Sequence, residues 1–171
     1  MKTTSILGKA IVVTFAVFSI SCSSDSSSSD TPGPVATDKT TFKLDGVLVT
    51  ADETNATLYN NATAGGMYID VYVIKDGKQV LEMHMPATTG NYPAQHAALT
   101  LTESWLTYQA NNGLSYPDDY FESNSGTMNL TTCDLVGDEL RGTFNFVGNN
   151  GTSNKTITEG NLVVSEITHQ P

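Results

Sequence analysis

The chain has 171 residues, 39% of them apolar and 15% charged, with 8 basic against 18 acidic residues and a formal net charge of −10. That length allows one domain with a real hydrophobic core. The acid excess opposes nucleic-acid binding, which depends on Lys and Arg neutralising phosphates, and opposes adhesion to anionic lipid; its simplest consequence is solubility.

Lys2 and Lys9 precede an uncharged run from Ala10 to Ile20, followed by Ser21 and Cys22. A positive start, a short apolar core and a small-residue boundary describe an export signal. The run is too short for a membrane span, which needs about 20 apolar residues. "FSISC", ending at Cys22, resembles the lipobox of bacterial lipoproteins, where cleavage falls just before a cysteine that has been diacylated. Ser21 and Ile20 suit the two positions before the cut, while Ser19 stands where Leu is usual. The alternative is ordinary signal cleavage beside an incidental cysteine. The resemblance implies a signal peptide over residues 1–21 and a lipid anchor at Cys22, tied to the membrane through acyl chains.

Residues 22–40 follow as a tether rich in Ser, Asp, Pro and Gly. It has almost nothing to bury against the entropy of ordering, so the composition predicts a flexible leash. Without Lys2 and Lys9 the chain carries six basic against 18 acidic residues, a net charge of −12. Beyond Cys22 the remaining cysteine is Cys133, so a lipidated chain has no internal disulfide to make. Cys133 sits in an apolar run with no cation beside it and reads as a small hydrophobe.

From residue 41 to 171, short runs rich in Val, Ile, Thr, Tyr and Phe alternate with Gly, Asn and Asp clusters, the pattern of an all-β domain. In "TFKLDGVLVT" a type I′ turn at Asp45-Gly46 would set Leu44 opposite Val47 and Phe42 opposite Val49; a single bent strand also fits. "YIDVYVIKDGKQVLEMH" reads as a hairpin. A plain two-residue turn at Asp76-Gly77 would mix polar and apolar residues on both faces. A three-residue loop, Lys75-Asp76-Gly77, sets Ile69 opposite Met83, Val71 opposite Leu81 and Met67 opposite Met85, a wholly apolar face. Register follows the face that must be buried, so the longer loop is the expectation. The opposite face then carries Asp70 against Glu82 and Tyr68 against His84.

"ATTGNYPAQH" reads as a turn-rich connection. Residues 99–110 fit a helix, with Thr100 and Glu103 as a capping box, or a strand through their Thr and aromatic content; strand is the expectation. "TMNLTTCDLV" and "ELRGTFNFVG" read as adjacent strands joined at Gly137-Asp138, with Leu140, Phe144 and Phe146 on the buried side. "KTITEGNLVVSEI" closes the domain with a bulge at Gly160. The expected fold is a single antiparallel β-sandwich or flattened barrel behind a signal peptide and tether.

"SGTMNLTTCD", "LRGTFNFVG" and "KTITEGNLVV" together resemble the C-terminal half of small uncharacterised lipoproteins from Bacteroidota. Those read Gly-Thr with alternating apolar residues, then Gly-x-Phe-x-Phe, then Ile-Thr-x-Gly-x-Phe-x-Val; Leu162 replaces the usual Phe. The similarity covers residues 126–164 and its motifs are strand and turn residues. It implies a β-rich exported lipoprotein of unknown activity, and the expected location is the outer membrane. Asp25 and Asp30 look like a thin version of a signal for display on the cell's outer face.

Candidate chemistry is sparse. Asp70, Glu82 and His84 would share one hairpin face, but an acid-base pair needs a concave, dehydrated setting, so that face reads as a solvated sheet surface. "YPDDYFE" offers Tyr116, Asp118, Asp119 and Tyr120 as ligand contacts, without the ligand order of a calcium loop. His84, His96 and His169 are too scattered for a metal site, and no phosphate loop or nucleophile elbow calls for a cofactor or a catalytic role. The expectation is a non-catalytic interaction module with a protein or glycan partner, using strand edges or the Tyr116 to Glu122 loop. The alternatives are a lipocalin-like carrier of a small apolar ligand and, more weakly, a hydrolase using Asp70 and Glu82.

Overall fold

The alternating pattern becomes eleven strands in residues 38–61, 65–95 and 103–170, the parts described by the computed structural model. They are β1 (Thr41–Leu44), β2 (Val47–Thr50), β3 (Glu53–Asn61), β4 (Gly66–Lys75), β5 (Lys78–Pro86), β6 (Gly90–Pro93), β7 (Trp105–Gln109), β8 (Tyr120–Asp134), β9 (Glu139–Asn149), β10 (Asn154–Val164) and β11 (Ile167–His169). Cys22, His96 and Thr100 lie outside the described residues.

All the strands belong to one sheet, in the order β11-β3-β4-β5-β7-β8-β9-β10-β1-β2, with β6 added beside β8. The pairings are antiparallel except that short β11 runs parallel to β3, a departure from the antiparallel expectation. β11 follows β10 after two residues, and β3 follows β2 after two. Both connections therefore cross between opposite ends of the strand order, which draws the open sheet into a half-barrel. Thr40, only 1% exposed, extends the pairing of β1 with β10: its hydroxyl donates to Val163 O and accepts from Val163 N, each at 3.0 Å. Thr40, expected from composition to belong to the tether, is thus part of the fold.

The interior of the curl is filled by one side of the strands. Phe42, Ile69, Val71, Val73, Leu81, Met83, Met85, Leu106, Met128, Leu140, Phe144, Phe146 and Ile157 are each 2% exposed or less and form a continuous cluster. Each such side chain contributes about 1.5–3 kcal/mol of transfer free energy relative to exposure. Leu140, Phe144 and Phe146 lie on the buried side as their spacing predicts.

The Asp45-Gly46 turn forms as expected, with both residues at positive φ and Phe42 opposite Val49. The second hairpin needs correction. Its turn is the two-residue one, Asp76 (φ 52°) and Gly77 (φ 70°), with Lys75 opposite Lys78. Past Ile74–Gln79 the register steps by one residue, so that Val73 faces Leu81, Val71 faces Met83 and Ile69 faces Met85. Val80 is the extra residue. This bulge keeps Ile69, Val71, Val73, Leu81, Met83 and Met85 on the buried face, the condition that the longer loop was invoked to meet, while Met67, expected there opposite Met85, is 50% exposed. As a result Asp70 lies opposite His84, and Glu82 opposite Tyr72, in place of Asp70 opposite Glu82.

Two strands go beyond the sequence expectation. β3 is polar and Asn-rich, with Ala56 and Leu58 as its buried residues. β6 hides inside the turn-rich connection and ends at Pro93, where a missing N–H is tolerated. Residues Trp105–Gln109 form a strand, in line with the strand expectation for that region. Gly160 sits where β10 steps past Phe144, and a Cβ there would lie 2.6 Å from the Phe144 ring, so the bulge expectation holds through close approach.

Candidate functional site

On the face of β3, β4, β5 and β7 turned away from the core, side chains line up in rows across the sheet. One row runs Thr57, Asp70, His84, Trp105; the next runs Asn55, Tyr72, Glu82, Thr107 and, on β8, Glu122. His84 lies between two parallel rings, Tyr68 at 5.1 Å and 12° and Trp105 at 5.4 Å and 13°. It is only 3% exposed. Its Nδ1 is 2.7 Å from Asp70 Oδ1 and 2.9 Å from the Tyr59 hydroxyl. An ionised carboxylate only accepts, so Nδ1 carries the proton and donates to Asp70. Tyr59 Oη donates to the same oxygen at 3.4 Å. The solvated sheet surface expected here is instead a half-buried polar and aromatic layer. Ring stacking across neighbouring strands is favourable beyond the area it buries.

The layer's electrostatics follow from that burial. Among the described residues Glu82 accepts long amide contacts, from Gln79 at 3.3 Å and Gln109 at 3.5 Å. Desolvation, and then the charge of Asp70, push its carboxyl above the usual range. Burial and the same two carboxylates raise Tyr72 to about 12, and burial with Asp70 raises Tyr59 as well. These shifts disfavour negative charge; they do not create an accessible base. With both faces stacked, His84 presents almost no surface to a substrate.

The loop carrying Tyr116, Asp118, Asp119 and Tyr120 lies at one end of the sheet, between β7 and β8. Asn111, Asn112 and Gly113 follow β7 in three successive left-handed conformations, which Asn and Gly tolerate. Asp119 is 7% exposed and pins the loop from inside: one oxygen accepts from Asn111 Nδ2 and the other from Ser115 N, both at 2.9 Å. Its carboxylate is engaged within the loop. Asn150, in the β9–β10 turn, donates to Asp118 O at 2.7 Å. Asp45 in the β1–β2 turn bonds Lys155 Nζ at 2.7 Å and Thr156 N at 2.9 Å, so three connections are locked side by side. From this frame Leu114 is 80% and Tyr116 74% exposed; Tyr120 meets the Tyr116 ring edge-on at 5.4 Å. Asn112 and Asp118 are also exposed.

A cleft of about 250 Å³ opens beside the β2–β3 and β10–β11 connections, lined by Asp38, Lys39, Asp52, Glu53 and Glu166 among others. Asp52 there is engaged by Lys75 Nζ at 3.0 Å and Asp76 N at 2.6 Å. Among the described residues no group of three His, Cys, Asp or Glu side chains is placed to hold a metal ion. Cys133 packs partly against the core, and burial followed by Asp134 raises its thiol, which disfavours the reactive thiolate.

The site therefore belongs to an all-β half-barrel with a rigid loop platform at one end and a stacked polar layer on its outer face. Comparison with protein-family models, with curated proteins and with solved structures returned no match to this chain.

Proposed function

We propose that the chain is an exported lipoprotein, anchored at the bacterial outer membrane through acyl chains on Cys22, and that its β domain is a non-catalytic binding module. The observation that carries the binding role is the loop platform. Asp119 and Asn150 hold the loops by hydrogen bonds within the chain, so the loops are already ordered, and the large apolar side chains they leave exposed are Leu114 and Tyr116. Order before binding lowers the entropic cost of capturing a partner.

The other two readings have less support. A carrier of an apolar ligand would have to displace the side chains that fill the curl. A hydrolase built on Asp70 and Glu82 loses its premise when Asp70 is committed to His84 and Tyr59.

The test is capture from intact cells with purified full-length chain in detergent. Wild type enriches a partner or glycan, Tyr116→Ala loses it, and Cys22→Ala abolishes labelling by radioactive palmitate. A Cys22→Ala chain still labelled, or a Tyr116→Ala chain that captures as wild type does, would overturn the corresponding half of the proposal.

A further inference from the structure

We infer that the ligand of the loop platform is a neutral carbohydrate chain, an inference that rests on the binding-module reading above. Three features of the platform point to this chemistry. First, its apolar contact is one flat ring and one neighbour, Tyr116 and Leu114. An aromatic side chain buries about 150–250 Å², whereas a specific protein partner needs about 800 Å² on each side. A pyranose ring matches a phenol ring in size and lays its C–H face on the aromatic plane.

Second, the same loop exposes groups that pair with hydroxyls: the Asn112 amide, which both donates and accepts, and the Asp118 carboxylate, which accepts. A sugar offers several hydroxyls at the rim of an apolar face, the same alternation at the same scale. Third, the loops carry no basic residue from 110 to 119 or from 149 to 154, and the adjacent Lys155 is paired with Asp45 at 2.7 Å. Sulfated or uronate-rich chains would meet carboxylates with nothing to hold them. Neutral chains avoid that repulsion.

The rigidity of the frame also suits a ligand whose single-site contacts are few. Asp119 fixes the loop from within and Asn150 ties it to the next turn, so little loop motion is lost on binding.

Native gels cast with β-glucan, xylan or galactomannan, and with dextran sulfate as the anionic control, test the inference on the full-length chain in detergent. At least one neutral polysaccharide retards the wild-type band, Tyr116→Ala weakens that retardation at least tenfold, and dextran sulfate has no effect. Unchanged thermal melting of Tyr116→Ala shows that the fold survives. Failure of every neutral polysaccharide, equal retardation of Tyr116→Ala, or stronger retardation by dextran sulfate would each overturn the carbohydrate assignment. If Tyr116→Ala nonetheless loses capture from intact cells, the carbohydrate inference falls while the binding module stands.

Discussion

The imidazole of His84 donates through Nδ1 to the Asp70 carboxylate, 2.7 Å away on the neighbouring strand, and is held between the rings of Tyr68 and Trp105. A polar pair is thereby built into the outer layer of a sheet whose inner layer is apolar. Removing either partner costs the other its shortest hydrogen bond and leaves it the Tyr59 hydroxyl, at 2.9 Å from His84 Nδ1 and 3.4 Å from Asp70 Oδ1.

His84→Ala is expected to cost about 3 kcal/mol, through the ring lost from between Tyr68 and Trp105 and the shortest hydrogen bond lost from the Asp70 carboxylate. Asp70→Asn keeps the shape and an acceptor and is expected to cost about 1 kcal/mol. Urea unfolding followed by fluorescence measures both, because Trp105, the chain's one tryptophan, stacks on the altered ring. A His84→Ala midpoint equal to wild type would show that the pair is ornamental to stability.

Glu82 gives a pH-dependent prediction. Burial and Asp70 raise its carboxyl above the ordinary value of 4.5, so the folded chain holds this proton more tightly than the unfolded chain. Its contribution to stability therefore falls as pH rises through the window above 4.5. Solvent reaches part of this carboxylate and screens the penalty, so the effect is modest. Glu82→Gln should stabilise the protein at pH 7 by on the order of 1 kcal/mol, roughly 3 °C in Tm, and by nothing near pH 4. Melting curves at the two pH values decide it; a destabilised variant at pH 7 would refute the desolvation argument.

The Val80 bulge can be removed on its own. Pairings before and after it differ in register by one residue, so deleting Val80 leaves a regular hairpin with the same turn and with Val71 still opposite Met83. The deletion is expected to fold, losing about 1–2 kcal/mol from the partial packing of Val80 against the core. Slowly exchanging amides in β4 and β5 would confirm the retained register. A chain that unfolds on this deletion would count against the bulge.

The two acids of the Tyr116 to Glu122 loop should separate cleanly. Asp119→Ala removes both internal acceptors and is expected to destabilise by about 2–3 kcal/mol. Asp118→Ala, at an exposed side chain, should stay within about 0.5 kcal/mol of wild type. Chemical denaturation of the two variants side by side measures the difference.

Several of these features are legible in the amino-acid sequence. The inward set on β9, the Asp45-Gly46 turn and the Gly160 bulge follow from alternation and from residues suited to tight backbone geometry. The Asp70–His84 pairing does not follow. Both hairpin readings satisfy local turn chemistry, and only a bulge, placed by packing against distant strands, chooses between them. β3 is hard to recognise because its strand character comes from being sandwiched between β4 and β11, while its own residues are mostly polar.

By itself, the amino-acid order determined that this protein is all-β, that one side of each long strand is apolar, and where most chain reversals fall. Those properties are local, set by the two-residue repeat of extended backbone and by left-handed turn residues. The three-dimensional arrangement decided that the sheet is single and curled, that His84 is enclosed by aromatic rings, and that Asp119 is engaged within its loop while Tyr116 stands exposed. These depend on contacts between strands far apart in sequence, where burial of a shared apolar face outweighs the preference of any one segment.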